Sequence, residues 1–432
     1  MVIGGGFAGT AAAISAARTG ISVLLVKKSN SLGGAASLNL VNPFMPNRTK
    51  LTVDDKKKDF NISRGLFAEI VDRLLGKAVF EKTPSCAFKE EYLKLILNRI
   101  ATDAGVDLLF HSYLIGAKAR NNRVDSVSVA NKSGIQDIEA DYFVDATGDA
   151  DLAVMAGFPY RLGREGDGLC QPMTLCFRVV NVNRAKFEKS RHKINELYNE
   201  FKKQGKIKNP REDVLVFSSI ADNVLHFNST KIIKRNPVDV FDLMKAEIEA
   251  REQVFELFKF LKENIDGFQK ADIISTASEI GVRESRMIDG EYILTEDDLV
   301  ACRTFEDSIA LGNYDIDIHN PEGSGTSHYY FPEGKYYTVP YRTLIPKSSK
   351  NLLVAGRCIS VTHKAQASVR IMPIVCCLCE TAGMAVSIAK KDNVYVGEID
   401  VQLLRKQLKN QGAAINADFR ESGVRSNSVL DL

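Results

Sequence analysis

The stretch that decides the fold is Val2-Ile3-Gly4-Gly5-Gly6-Phe7-Ala8-Gly9-Thr10. Gly4, Gly6 and Gly9 satisfy the spacing G-x-G-x-x-G. Each glycine has its own task. Gly4 permits a tight turn, Gly6 lets the backbone approach a pyrophosphate, and Gly9 lets the following helix pack close to the strand. The start of that helix, with Phe7 and Ala8 beside the turn, offers unpaired N–H groups and a positive dipole end to phosphates. The motif alone is weak, because a glycine-rich turn that binds nothing has the same letters. Its context strengthens it. Val2-Ile3 reads as the end of a strand, Thr10 to Arg18 as a small-residue helix, Gly20 as its stop, and Ile21 to Val26 as a continuous apolar strand. Absence of alternation suits a parallel strand covered on both faces. Only three residues precede Gly4, whereas a first strand usually has about five or six. The start is read as truncated or the strand as short.

The second strand departs from the pattern. An acidic residue there ordinarily accepts hydrogen bonds from the adenosine ribose. Here the strand runs Leu24-Leu25-Val26-Lys27-Lys28, and Lys27 stands in that position. An ammonium group cannot accept from ribose hydroxyls. Lys27 and Lys28 therefore leave three readings open: contact with a 2′-phosphate, contact with the cofactor's own phosphates, or weakened cofactor binding.

Further along, Lys56 to Leu75 reads as an amphipathic helix and Glu90 to Ala104 as another, closed by Gly105 before a strand Val106 to Phe110. Val124–Ala130 and Gln136–Tyr142 alternate like an antiparallel pair. Phe143 to Asp149 is a strand running into a turn. The texture changes near residue 165: Pro172–Val180 and Asp213–Phe227 look like strands, Arg184–Lys208 is lysine-rich and helix-like, and Pro237–Asn264 is a long helix with Pro237 in its first turn. Asn351 to Arg357 is again a buried strand ending in glycine, and Pro373–Lys390 is a helix. The fold class is thus α/β: a Rossmann-type dinucleotide domain with a parallel sheet, helices on both faces and a small antiparallel sheet, carrying an inserted α+β domain. The expected boundaries are 1–165 and 339–432 for the discontinuous nucleotide domain, and 166–338 for the inserted substrate or cap domain.

Composition narrows the function classes. The chain has 432 residues, enough for two or three domains at roughly 100–200 residues each. Lysine plus arginine is 57 against 54 for aspartate plus glutamate, a net charge of +3. That balance argues against nucleic acid or an anionic membrane as main partner. The eight cysteines follow no disulfide framework and read as free thiols, with a cytoplasmic location. No signal peptide is read before Gly4. Ile371 to Ala389 approaches membrane-span length but contains Pro373, Glu380 and Gly383, so it reads as a buried helix and no span is expected. No metal site is expected, because Cys376-x-x-Cys379 lacks a second ligand pair. The oligomeric state is open, a homodimer included.

Several motifs in order resemble the bacterial family described as FAD-dependent oxidoreductases, glutathione-reductase-like Rossmann flavoproteins of which some carry a xanthan-lyase-like label. The carrying segments are the Gly4 loop, Ser31–Ala36, Leu40–Phe44, Asp145–Asp151, Gln171–Thr174, Gly281–Arg286, Gly290–Tyr292, Asp317–His319, Val339–Arg342, Ala355–Ser360, His363 and Ser368–Pro373. The resemblance covers nearly the whole chain and implies FAD as cofactor. It implies that Gly33, Gly34 and Ala35 lie along the pyrophosphate, and that Ala146, Thr147, Gly148 and Asp149 close over the cofactor. Gly356 and Arg357 would meet the ribityl chain. Arg370, Ile371 and Met372 would lead into a helix beneath the flavin, whose N-terminus stabilises negative charge at the N1–C2=O edge.

The substrate is expected to be a small polar molecule of carboxylate or sugar type. His363 is a candidate general acid or base, set against a merely hydrogen-bonded histidine. Arg370 is a candidate carboxylate or flavin-carbonyl clamp, set against a structural ion pair. Arg283 and Arg286, three apart, share a helix face or flank a turn, with an anion site and a salt-bridge network equally open. Asp317 and His319, two apart, point the same way on a strand. Two alternatives stand beside hydride transfer: a flavin–thiol enzyme using Cys376 and Cys379, and a cofactor-depleted homologue that only binds.

Overall fold

The computed structural model describes residues 1–53, 56–76 and 86–416. At its centre is a five-stranded, wholly parallel sheet. Its strands are β1 (Val2–Ile3), β2 (Val23–Val26), β3 (Val106–Leu109), β4 (Phe143–Asp145) and β5 (Leu352–Val354), in spatial order β5-β4-β1-β2-β3. β1 is short but central: Val2 lies opposite Leu25 on one side and Val144 on the other. Strand order reverses direction between β1 and β4. In open parallel sheets a ligand crevice forms outside the carboxyl ends at such a switch point. The turns that follow β1, β2, β4 and β5 carry Gly4, Lys27, Ala146 and Gly356 to that one edge.

Helix α1 (Phe7–Ala17) is buried along its whole length. Its alanines let it lie against α2 (Met372–Asp392), a 21-residue helix that crosses the core. A Cβ on Gly383 would overlap the backbone carbonyl of Ala12, so the two helices touch main chain to main chain. Among the described residues α2 is the one helix long and apolar enough to cross a membrane, and 94% of its apolar window is buried inside the protein. The sequence reading of a buried core helix agrees with this packing.

A second apolar core gathers Met173 to Ile280. It is built from a four-stranded antiparallel sheet (Phe177–Val180, Val216–Ala221, Val224–Phe227, Asp272–Thr276), the helices Arg184–Ser190 and Ile194–Lys203, and the long helix Val240–Asn264. Many later apolar residues, among them Met287, Leu294, Leu299, Ile309 and Ile316, pack with the first core instead. A buried ion pair links the two: Arg178 on the antiparallel sheet holds Glu90 on the helix Glu90–Asp103 at 2.5 Å.

Three expectations need correction. Lys56–Leu75 is not one helix: Lys56–Asn61 is a strand paired antiparallel with Arg48–Val53, and only Leu66–Leu75 is helical. The lysine run is exposed, as expected, but on a strand. Pro237 precedes the long helix, because the Asp239 carboxylate accepts from Phe241 N–H and Asp242 N–H and fixes the start at Val240. The antiparallel pair Arg123–Asn131 and Gly134–Glu139 has a third strand, Tyr113–Arg120.

Candidate active site

Gly4, Gly6 and Gly9 behave differently in space. Gly4 has φ +102°, a conformation that side chains disfavour, and a Cβ there would overlap the Ala146 carbonyl. A Cβ on Gly9 would overlap the Gly4 carbonyl oxygen. Gly6 is the opposite case. Its φ of −69° and ψ of −174° suit any residue, and a Cβ would meet nothing within 4 Å. Packing does not demand glycine at this position; what the missing side chain leaves is open space over the N-terminus of α1. Gly33 and Gly34 close the other side: Gly33 N–H donates to Gly5 O at 3.0 Å, and a Cβ on Gly34 would stand 2.8 Å from Gly6 Cα.

That space belongs to a cavity of about 940 Å³ at the switch point. The carboxyl edge of the sheet contributes Gly4, Gly6, Phe7, Ala8, Lys27, Lys28, Gly34, Ala35, Ala146, Thr147, Gly148, Asp149, Gly356 and Arg357, and the approach to α2 adds Arg370, Ile371 and Met372. Gly9 and Gly33 lie behind this surface, in packing and turn roles. A pyrophosphate-sized cradle at a helix N-terminus, with room that only a missing side chain leaves, fits a dinucleotide such as FAD.

Lys27 is 7% exposed. Burial, reinforced by Lys28, lowers its pKa to about 8. Glu279, the acid whose charge acts on it, is already paired with Lys28 at 3.4 Å. The carboxyl end of β2 thus carries a nearly dry cation where the motif expects an acceptor.

The rest of the cavity is lined by residues 38–45, by residues 174–283, and by the strand Ile316–His319 with its neighbours Tyr314, Thr326 and His328. Asp317 and His319 project from the same face of that strand, and His319 Nε2 lies 3.5 Å from Asp317 Oδ2. Arg370 Nη2 stands 3.5 Å from the same carboxylate oxygen, and the Tyr314 hydroxyl donates to it at 3.3 Å. Burial would raise the Asp317 pKa, but the His319 hydrogen bond and the Arg370 charge outweigh it and hold the carboxyl below its ordinary range. Burial and the Arg283 charge lower His319 to about 3, so its imidazole is neutral at physiological pH. Burial pushes the Tyr314 phenol up, keeping it protonated. Arg283 lowers to about 9 through burial first and then the neighbouring Arg370 and Arg211 charges. Its one hydrogen bond runs to Pro172 O at 2.5 Å, and Gln366 Nε2 holds its backbone carbonyl at 2.7 Å.

The structure divides the candidate residues. Arg283, His319 and Arg370 meet at the cavity. His363 and Arg286 do not line it. His363 Nδ1 is bonded to Glu284 Oε1 at 2.7 Å, and Glu284 also accepts from Gln171 N–H, so the histidine ties a loop to the helix His363–Val369 that it begins. Arg286 starts the strand Arg286–Ile288 and binds Asp151 Oδ1 at 2.9 Å. Arg283 and Arg286 therefore share no helix; chain proximity gave no side-chain direction. Cys376 and Cys379 are buried, free, and raised well above the ordinary thiol range by burial. This is the reverse of a reactive dithiol. Among the described residues no group of three or more His, Cys, Asp or Glu is arranged to hold a metal ion. Sequence reasoning missed Tyr314, Arg211 and Thr326, which belong to no local motif.

No curated protein matches the chain. Solved structures that resemble it include a geranylgeranyl bacteriochlorophyll reductase-like protein from Thermoplasma acidophilum, at 13% identity and TM-score 0.44 over 96% of this chain and 84% of that one. An L-proline dehydrogenase from P. horikoshii gives 11% and 0.44 over 95% and 97%. A p-nitrophenol 4-monooxygenase from Pseudomonas putida gives 8% and 0.43 over 97% and 84%. A family model described as FAD dependent oxidoreductase matches residues 1–408. With that match over nearly all of the described residues, the chain belongs to the FAD dependent oxidoreductase family, and FAD is its cofactor.

Proposed function

We propose that the enzyme transfers a hydride between FAD and a small polar substrate held beside Arg283, His319 and Arg370. The observation that carries the reading is continuity: the glycine cradle and the Arg283–Asp317–His319–Arg370 group line one cavity. FAD, when bound, supplies the two-electron step. Gly4, Gly6, Gly34, Ala35, Ala146–Asp149, Gly356 and Arg357 would hold it in a glutathione-reductase-like manner. The N-terminus of α2, whose cap residue Ile371 offers no side-chain acceptor, favours negative charge near Met372.

In this reading the protein orients the substrate and handles one proton. Arg283 and Arg370 orient through planar forks. Neutral His319, steadied by Thr326 Oγ1 at 3.0 Å and by Asp317, is the titratable group beside them, and substrate negative charge that offsets Arg283 would raise it toward the proton-accepting range. The domain assignment is proposed with it: 1–165 and 339–432 for FAD, 166–338 for the substrate. The separate core from Met173 to Ile280 supports an inserted unit, while the packing of later residues on the first core suggests a narrower one. A cytoplasmic location is proposed with it, supported by the free thiols Cys170, Cys176, Cys302, Cys358, Cys376, Cys377 and Cys379. The dithiol alternative loses its support, since both thiols are buried and held protonated.

Purified protein incubated with FAD and desalted is expected to keep absorbance bands near roughly 370 and 450 nm. A candidate substrate should bleach them anaerobically. Protein that never retains the bands favours the binding-only alternative and overturns this reading.

A further inference from the structure

The charges around the inner part of the cavity can be paired off. Arg211 holds Asp213 at 2.8 Å, Lys231 holds Glu212 at 3.2 Å, and His328 holds Asp315 at 2.5 Å. Asp317 is the acid on which both the Arg283 and Arg370 charges act, and His328 Nδ1 lies 3.9 Å from its Oδ1. Arg370 reaches Asp317 only at 3.5 Å, and the Arg370 Nε is buried with no partner. Arg283 has no ion pair among the described residues; its single bond is to a neutral carbonyl. His319 adds no negative charge. Arg283 therefore has no carboxylate of its own among the described residues. A partly buried cation without a counter-ion is costly, and arginine does not escape by losing its proton near pH 7. Such a cluster is organised for an anion that arrives from outside.

We propose that the substrate is a carboxylate, bound as a monoanion between Arg283 and Arg370. The proposal rests on the reading of this cavity as the substrate site, and it adds the chemical class. Planar guanidinium forks match a planar carboxylate. A sugar would bring neutral hydroxyls and leave the charge in place. A phosphate dianion would set a second negative charge against Asp317.

The test uses FAD-loaded protein titrated with acetate and benzoate, their neutral counterparts acetamide and benzamide, glucose and inorganic phosphate. Binding is followed by isothermal calorimetry and by the flavin spectrum. Carboxylates are expected to bind at least about tenfold more tightly than the matching amides, glucose or phosphate, a gap typical of a lost charged partner. Arg283→Gln and Arg370→Gln should each abolish that preference, and Arg370→Lys should restore part of it by keeping the charge without the fork. FAD content and melting temperature check each variant. If Arg283→Gln fails to fold, the carboxylate-to-amide ratio of the unaltered protein and the Arg370 pair still decide. Equal binding of acid and amide, tighter binding of glucose or phosphate, or no calorimetric binding of any probe overturns the carboxylate. Carboxylate-selective heat without any flavin spectral change would instead keep the anion site and overturn its role beside the cofactor.

Discussion

At the glycine loop Gly4 and Gly9 are constrained by neighbouring backbone, and Gly6 is the one that the surrounding protein leaves unconstrained. Valine at Gly6 has an allowed backbone and open space around its Cβ. Gly6→Val should therefore unfold at the wild-type denaturant midpoint, within about 0.5 kcal/mol, as a substitution away from packing contacts does. It should lose FAD on desalting all the same. A variant that keeps its FAD would show that the pyrophosphate does not cross Gly6. Lys27 gives the second prediction. Lys27→Glu restores acceptors to the ribose position, beside Lys28, and should lower the FAD dissociation constant by about tenfold, the scale of one hydrogen bond to a charged group. An unchanged constant by fluorescence titration would mean that the side chain avoids the ribose. Residues of this kind were legible because the chemistry is fixed by spacing along the chain. Arg283 and His319 were read as chemistry but not as a pair, since they stand 36 positions apart along the chain. His363 misled for the converse reason: it stands next to the right elements but turns toward Glu284.

Among the elements, the contact of α1 with α2 sets how close the glycine loop lies to the start of α2. Gly383 faces the Ala12 carbonyl directly, so Gly383→Ala forces backbone against Cβ where no side chain can swing aside. Overpacking of this kind costs about 1–3 kcal/mol. The urea midpoint should fall accordingly, and FAD affinity should weaken with it as the two helix termini separate. Unaltered stability would mean that the helices slide apart freely. The small residues from Thr10 to Arg18 were read as a helix, but nothing in them named the helix it packs against. Parallel strands were readable from uninterrupted apolar runs. The strand Lys56–Asn61 was not, because its stabilising contacts are remote: Arg48 pairs with Asp59 across the hairpin, and Lys57 with Glu333. A lysine run has the same composition on a strand as on a helix, and only its partner tells them apart.

For the molecule as a whole, two buried acids make folding depend on pH. Burial raises Asp145 to about 6, against hydrogen bonds from Ala153 N–H and Thr147. Burial raises Glu380 to about 7, against the Leu66 N–H that its carboxylate caps at 3.2 Å. In both, the native state binds the proton more tightly than the unfolded chain does. Their stabilising contribution is full below the unfolded carboxyl range, near pH 4, and is lost as pH rises through about 6 and 7. Glu212, held at about 2 by the Thr326 hydrogen bond and by Arg211 and Lys231 despite burial, acts with the opposite sign at lower pH. The difference between variant and wild type is therefore the quantity to read. Glu380→Gln keeps an oxygen for Leu66 N–H and removes the titration. For a shift from 4.5 to about 7, the variant should gain up to about 3 kcal/mol over wild type at pH 8 and almost nothing at pH 4.5. Urea denaturation of FAD-free protein at the two pH values measures this without ligand linkage. A gain of equal size at both pH values would assign the effect to packing around Gly65, whose missing side chain leaves room for the carboxylate, and would remove the proton from the account.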